Sequence, residues 1–166
     1  MKFVFAIPLL ALTACATAYQ TGNHFTGGFD ETALAPNVYK VSFQGNGYTS
    51  SARAEDLALL RSADLTLQKG FKYFALVDSK NATSLSTYTT PVTANTTANV
   101  TAFGNTAYGT ATTTYSGGQT EFISKPSTSN LVVMFHEQPQ INGMVFDAEF
   151  LCQSMAPKYK AACGTK

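Results

Sequence analysis

The sequence has little charge of either sign and no tryptophan. Its 166 residues include 11 lysine or arginine residues and 10 aspartate or glutamate residues, and the formal net charge is +1. No basic cluster predicts a nucleic-acid surface, and no acidic tail predicts a partner recruited by charge. We therefore expect no nucleic acid among the ligands. The length is sufficient for one domain with a sizeable core.

Motifs that carry common enzyme chemistry are also missing. The sequence contains no GxSxG elbow for a hydrolase nucleophile, no GxxxxGK[ST] loop for phosphates and no CxxC redox pair. His24 and His136 are isolated from each other and form no HxH or HxxxH metal pattern. We interpret both histidines as packed or surface residues. The sequence thus predicts no catalytic residue, no metal and no cofactor.

The N-terminus has the pattern of a bacterial lipoprotein signal. Lys2 supplies a short positive region, and the apolar run 3–12 is too short to span a bilayer as a mature helix. The LTAC motif at 12–15 resembles the lipobox, which predicts removal of residues 1–14 as a signal peptide and acylation of Cys15, with palmitate as one such chain. The alternative is an ordinary secretory signal followed by an incidental cysteine.

The residues around the predicted anchor indicate a location. Several acyl chains bind a membrane firmly, because each buried methylene contributes about 0.8 kcal/mol and a single chain is marginal. Ala16 occupies the position where an Asp is typical of inner-membrane retention. We therefore expect a lipid anchor in the outer membrane of the cell envelope, facing the periplasm. Residues 15–28 are interpreted as a tether and 29–166 as a single domain.

The stretch 39–78 predicts a strand, a turn, a helix and a second strand. Apolar and polar residues alternate over 39–44, as in a half-buried strand. The Gly-Asn-Gly sequence at 45–47 breaks that strand. Residues 52–69 contain no Gly or Pro and are dominated by Ala and Leu, which predicts the main helix. The short apolar run 73–77 then predicts a buried strand.

This stretch resembles a family of small, uncharacterised proteobacterial lipoproteins. The resemblance is carried by VSFQGNGYTS at 41–50 and by EDLALLRSADLTLQKGFKYFALVD at 55–78, and it extends over 29–79. The family shares a strand that ends in a GNGYT-like turn, an acidic helix, a glycine and an aromatic strand. Because the family has no assigned catalytic residues, the resemblance implies only a location and a type of domain.

The turn before the main helix has two interpretations. A serine there can cap the helix, because its side chain accepts a hydrogen bond from a free backbone amide. Free amides at a helix start can also bind an anion. The candidate anion-binding residues are Gly45, Asn46, Gly47, Ser50 and Ser51. The absence of a phosphate-binding motif favours a turn built for its geometry alone.

Charged residues on the main helix predict local pairs. Leu60 and Leu67 lie on the main apolar stripe and are both expected to be buried. Arg53 with Asp56, and Arg61 with Asp64, are three residues apart, so we expect both pairs to form along the helix surface. Asp56 can alternatively cap the helix start.

The remaining patterns complete an α+β fold. We expect a mostly antiparallel sheet with the main helix packed on one face. The polar, proline-containing segment 79–96 is interpreted as a loop, and the loosely alternating segment 97–115 as a hairpin. The apolar run 131–135 predicts another strand, and a short C-terminal helix is predicted at about 148–155.

Two cysteines remain besides Cys15. Cys152 and Cys163 are separated by 11 residues in a chain predicted to reach an oxidising compartment. We therefore expect a disulfide between them, the alternative being two unpaired thiols.

Our leading functional hypothesis is a non-enzymatic envelope lipoprotein that contributes to structure or assembly through protein contacts. Its partners would be the membrane, through the lipid anchor, and an unidentified envelope protein. The alternative is a module that binds a small molecule or an anion at the glycine turn. An enzyme ranks third, because no catalytic constellation supports it.

Overall fold

A computed structural model of the chain describes residues 15–23 and 25–164. The predicted signal peptide at 1–14 and the histidine at position 24 lie outside the described residues. The observed architecture is α+β and is dominated by antiparallel sheet, as predicted, with two helices in the described part of the chain.

The bounds of the elements follow the chain from residue 28 to residue 159. They are β1 Gly28–Ala35, β2 Val38–Gln44, α1 Ser51–Gln68, β3 Tyr73–Thr89, β4 Thr93–Phe103, β5 Thr106–Ser116, β6 Thr120–Phe135, β7 Val145–Asp147 and α2 Ala148–Tyr159. A five-stranded sheet has the order β1-β2-β6-β3-β7, and a two-stranded sheet pairs β4 with β5.

The chain divides into two compact units, where the sequence predicted a single domain over 29–166. Among the described residues, unit 1 comprises 15–84 and 124–164, and unit 2 comprises Leu85–Ile123. The physical reason lies in the burial pattern of unit 2. Every residue of β4 and β5 is exposed, so these strands pair with each other without contributing side chains to a core.

The main helix of unit 1 is close to its predicted range. Helix α1 covers Ser51–Gln68, against a prediction of 52–69. Ser50 caps it, because its Oγ accepts a 3.2 Å hydrogen bond from the amide of Arg53. Gly70 follows the helix with a φ of +83°, a left-handed conformation that glycine adopts without a Cβ penalty.

The core of unit 1 lies between α1 and one face of the sheet. Tyr39, Val41 and Phe43 of β2 are buried, whereas Lys40 between them is exposed, which confirms the predicted alternation. Leu60 of α1 is completely buried in the same cluster, as predicted, whereas Leu67 in the last turn of the helix is only partly buried against it. The cluster is completed by residues of β3, β6 and α2, among them Phe74, Val132, Met134, Ala148 and Leu151.

The prediction of a loop over 79–96 is wrong. Strand β3 continues to Thr89, and β4 begins at Thr93. Threonine is β-branched and suits an extended ladder, and the hydroxyls of Thr89 and Thr120 lie 3.1 Å apart across the strands. The hairpin predicted over 97–115 is present, as strands β4 and β5.

The short C-terminal helix is longer than predicted. Helix α2 begins at residue 148 as expected but extends to Tyr159 rather than about 155. Asp147 caps its start by accepting a 2.9 Å hydrogen bond from the amide of Phe150. The helix ends where Lys160 adopts a left-handed conformation with φ 52°.

Candidate functional site

The chain after Cys15 is fixed to unit 1, although the sequence predicted a tether over 15–28. Thr17 is only 3% exposed, and its amide donates a 3.0 Å hydrogen bond to Oγ1 of Thr49. Its carbonyl accepts two hydrogen bonds of 3.2 Å, from Nε and Nη2 of Arg53. The backbone is therefore held in place two residues after the predicted lipid attachment point.

Asn46 holds Cys15 itself. Its side-chain Nδ2 donates a 2.8 Å hydrogen bond to the carbonyl of Cys15, and its backbone amide donates to Oγ1 of Thr17 at 2.9 Å. Its side-chain oxygen accepts a 3.0 Å hydrogen bond from the amide of Tyr48. Asn46 thus joins the glycine turn to the N-terminal segment, a role that the sequence alone did not indicate.

The hydrogen bonds of the turn favour the geometric interpretation over an anion site. The amide of Gly45 donates to the carbonyl of Pro126 at 2.8 Å, and the amide of Thr49 donates to the carbonyl of Asn46 at 3.1 Å. The side chain of Ser50 is engaged as the helix cap. A Cβ at position 45 would lie 2.7 Å from Cβ of Thr49, so close packing requires this glycine.

A buried carboxylate of α1 accepts four hydrogen bonds. Asp64 is 2% exposed. Its Oδ2 accepts hydrogen bonds from the Tyr19 hydroxyl at 2.5 Å and from Nη1 of Arg61 at 2.7 Å. Its Oδ1 accepts from Nε2 of Gln68 at 3.0 Å and from the amide of Gly164 at 2.8 Å. One side chain of α1 therefore holds segments from both ends of the described chain.

The Arg61–Asp64 pair forms as predicted but is buried rather than on the surface. The side chains are only 9% and 3% exposed, and Arg61 also forms a 2.7 Å ion pair with Glu31 of β1. The Arg61 guanidinium lies 4.3 Å from the centre of the Phe29 ring. Strand β1 and the N-terminal segment cover this face of α1 and therefore shield the side chains of Arg61 and Asp64 from solvent.

The ionisation of this cluster fits a structural role. Burial, together with the hydrogen bond to Asp64, raises the pKa of Tyr19 far above its ordinary value. Burial alone would lower the pKa of Arg61, but hydrogen bonds with Tyr19 and Glu31 outweigh it, and the pKa is raised. The phenol therefore stays neutral and the guanidinium stays charged. The arrangement holds segments together and offers no activated nucleophile.

Asp56 does not pair with Arg53 and does not cap α1. Its Oδ2 accepts a 2.8 Å hydrogen bond from Nζ of Lys158 and a second one from the Tyr159 hydroxyl. Burial alone would raise the pKa of Asp56, but the bonds from Lys158 and Tyr159 hold it below its ordinary value. The prediction failed because α2 packs on α1 and supplies closer partners, while Arg53 points to Thr17.

The remaining predicted residues are placed as follows. Cys152 and Cys163 lie at disulfide distance, with Cα atoms 5.7 Å apart, inside the usual range. Cys15 is free and exposed. His136 is exposed and stacks on Phe71 with ring centres 4.3 Å apart, as predicted for a surface histidine. Within residues 15–23 and 25–164, no three His, Cys, Asp or Glu residues are grouped to hold a metal.

Unit 2 carries a feature that the sequence analysis missed. No charged residue occurs between Lys80 and Glu121, a signal that is visible in the sequence. More than half of the large exposed hydrophobic side chains of the described chain lie in this unit, namely Leu85, Tyr88, Val92, Val100, Phe103, Tyr108, Tyr115 and Phe122. We call the paired strands β4 and β5 the ribbon.

The two faces of the ribbon differ in chemistry. Directly opposed residues of an antiparallel pair share a face. On one face Val100 opposes Gly109, and alanines pair with alanines on both sides of them, at 98 with 111 and at 102 with 107. On the other face Thr97 opposes Thr112, and the aromatic residues Tyr108 and Phe103 each oppose a threonine. Both strands also have an edge without a hydrogen-bonded neighbour in this two-stranded sheet.

Comparisons with known proteins add no relative. No family model, no curated protein and no solved structure matches this chain. The resemblance to small lipoproteins therefore stays a prediction. In the described segments, no helix combines the length and the apolar character needed to cross a membrane.

Proposed function

We propose that this chain is a lipoprotein of the cell envelope, anchored through Cys15 in the outer membrane, that acts by protein contacts rather than catalysis. The anchor rests on the lipobox at 12–15 and on the exposure of Cys15. The contact surface is the ribbon, Thr93–Phe103 paired with Thr106–Ser116. Its partner would be an extended segment of another envelope protein.

The carrying observation is that the ribbon has open edges and no charge. Proteins usually protect edge strands with lysines, prolines or a covering element, because unpaired amides and carbonyls recruit other strands. The ribbon lacks charged side chains altogether, and all its residues are exposed. An extended segment that adds to such an edge gains main-chain hydrogen bonds, and small residues such as Ala98 and Gly109 allow close approach.

The anchor is tested on the mature N-terminus. Mass spectrometry of the protein extracted from membranes should find Cys15 as the first residue, carrying acyl chains. A Cys15→Ser variant should move to the soluble fraction. An unmodified Cys15, or a wild-type protein found only in the soluble fraction, contradicts the proposal.

The ribbon is tested with a matched pair of sites. Phe103 and Phe150 are the same residue type and are each 73% exposed, but only Phe103 lies in the ribbon. A photoreactive phenylalanine analogue at each position should give a defined crosslinked protein in cells at 103 only. Adding Ala111→Lys to the ribbon should abolish that product without changing the amount of folded, acylated protein. Equal crosslinking at both positions, or no effect of the lysine, contradicts the assignment.

A further inference from the structure

We infer that the surface of unit 1 around Cys15 lies directly on the membrane, with Phe25 and Tyr48 in the headgroup layer. This inference rests on the proposed acylation of Cys15 and goes beyond it. Acylation alone fixes an attachment point, and a flexible tether would leave the orientation of the domain free.

The first argument is the short distance between the anchor and the folded domain. Thr17 is buried and hydrogen-bonded to Thr49 and Arg53, and it lies only two positions after Cys15. Two residues of extended chain span at most about 7 Å. The carbonyl of Cys15 is itself bound by Asn46. A cysteine whose acyl chains enter the bilayer therefore brings this part of unit 1 to the lipid headgroups.

The second argument is the chemistry of the surrounding surface. Tyr48, whose amide is bonded to Asn46, is 77% exposed, and Phe25 is 95% exposed. Phe25 lines the same shallow cleft as Asn46 and Lys125. Aromatic side chains are favoured at the interface between water and hydrocarbon, and a lysine suits anionic phosphate headgroups. The rings of Phe25 and Tyr48 are exposed beside the proposed lipid anchor, so the lipid headgroups would cover them once the anchor enters the bilayer.

The third argument is the thickness of the lipid headgroup layer that the rings of Phe25 and Tyr48 must reach. The polar region on each side of a bilayer is about 5–8 Å deep, being half the difference between the whole bilayer and its hydrocarbon core. That depth is comparable to the chain length between Thr17 and Cys15. The rings of Phe25 and Tyr48 therefore need no rearrangement of the fold to enter the headgroup layer.

Tryptophan fluorescence provides a direct test, because the native chain contains no tryptophan. The full-length, acylated variants Phe25→Trp, Tyr48→Trp and Phe150→Trp would be placed in vesicles of phosphatidylethanolamine and phosphatidylglycerol. Part of the lipid would carry bromine atoms near the headgroup end of its acyl chain, where they quench nearby indoles. Phe150 is 73% exposed and lies in α2, so it serves as the matched control.

We expect quenching at positions 25 and 48 to exceed that at 150 by roughly twofold or more, because only those two indoles would lie in the interfacial layer that holds the bromine atoms. A flexible Gly/Ser linker of about 10 residues, inserted between Ala16 and Thr17, should remove the difference while the protein stays acylated. Equal quenching at all three positions, with Cys15 acylated by mass spectrometry, overturns the orientation and leaves the anchor intact. An unmodified Cys15 in the same sample instead overturns the proposed function, and the inference with it.

Discussion

Asp64→Asn is the sharpest test of how unit 1 is held together. The substitution keeps the shape of the side chain but leaves one acceptor oxygen in place of two. Whichever orientation the amide takes, two of the present donors face an NH2 group. If the NH2 group takes the place of Oδ2, the Tyr19 hydroxyl can rotate and accept a hydrogen bond from it. Arg61 carries only donor groups, so it loses this hydrogen-bond partner.

The expected magnitude follows from the burial of the pair. Breaking a buried ion pair by removing one partner costs about 3–5 kcal/mol. Arg61 keeps its ion pair with Glu31, whose side chain is 34% exposed, so we expect a loss of about 3 kcal/mol in the free energy of unfolding. Domains are typically stable by about 5–15 kcal/mol, so this loss is a large fraction. With a slope of about 2 kcal/mol per molar urea, the midpoint should fall by roughly 1.5 M.

The control is the same substitution at an exposed pair. Asp78 forms a 3.1 Å ion pair with Lys80, and the two side chains are 50% and 78% exposed. Asp78→Asn should change stability by no more than about 1 kcal/mol. Urea unfolding followed by circular dichroism measures both variants. Equal midpoint shifts for Asp64→Asn and Asp78→Asn would refute the argument that the buried cluster holds the fold together.

Three further outcomes are expected. Leu60→Ala should lower the free energy of unfolding by about 2–5 kcal/mol through lost burial and a cavity, whereas the exposed Lys69→Ala should stay within about 0.5 kcal/mol in the same urea titration. The folded state lowers the pKa of Asp56, so its contribution to stability is present above the unfolded pKa of about 3.9 and is lost as pH falls through the folded value. Asp56→Asn should therefore destabilise the protein near pH 7, and its effect should shrink as the pH falls below about 3.9, whereas an effect that does not change with pH contradicts this. Thiol labelling of the denatured, unreduced protein should find neither Cys152 nor Cys163 free, and labelling of either would show that the pair is not bonded.

The parts of the fold that could be predicted depend on nearby residues. Helix α1 was predicted to within one residue because its Ala- and Leu-rich run is bounded by the cap Ser50 and the left-handed Gly70. The strand at 39–44 could likewise be predicted from neighbouring residues alone, because apolar and polar residues alternate along it. Each of these signals lies within about one or two helical turns of the element it specifies.

The parts that could not be predicted depend on distant partners. Tyr19 lies 45 residues before Asp64, and Gly164 lies 100 residues after it, so no spacing rule connects them. The segment 79–96 has the composition of a loop and becomes strand only because another strand pairs with it. The hydrogen bonds that fix the segment around Cys15 could not be predicted for the same reason, because Asn46 lies 31 residues after Cys15 in the sequence.

The convergence of distant segments on α1 also determines when this domain can be completed during synthesis. The carboxylate of Asp56 accepts a hydrogen bond from a phenol 103 residues later in the chain, and that of Asp64 accepts one from a backbone amide 100 residues later. Until residues 158–164 have been made, the carboxylates of Asp56 and Asp64 lack part of their hydrogen-bond partners, and α2 cannot pack on α1. Contacts of such long sequence separation slow folding, because the loop between them must close first. Late completion of these contacts would suit the export that we propose, because a secretion machinery threads chains that have not yet folded.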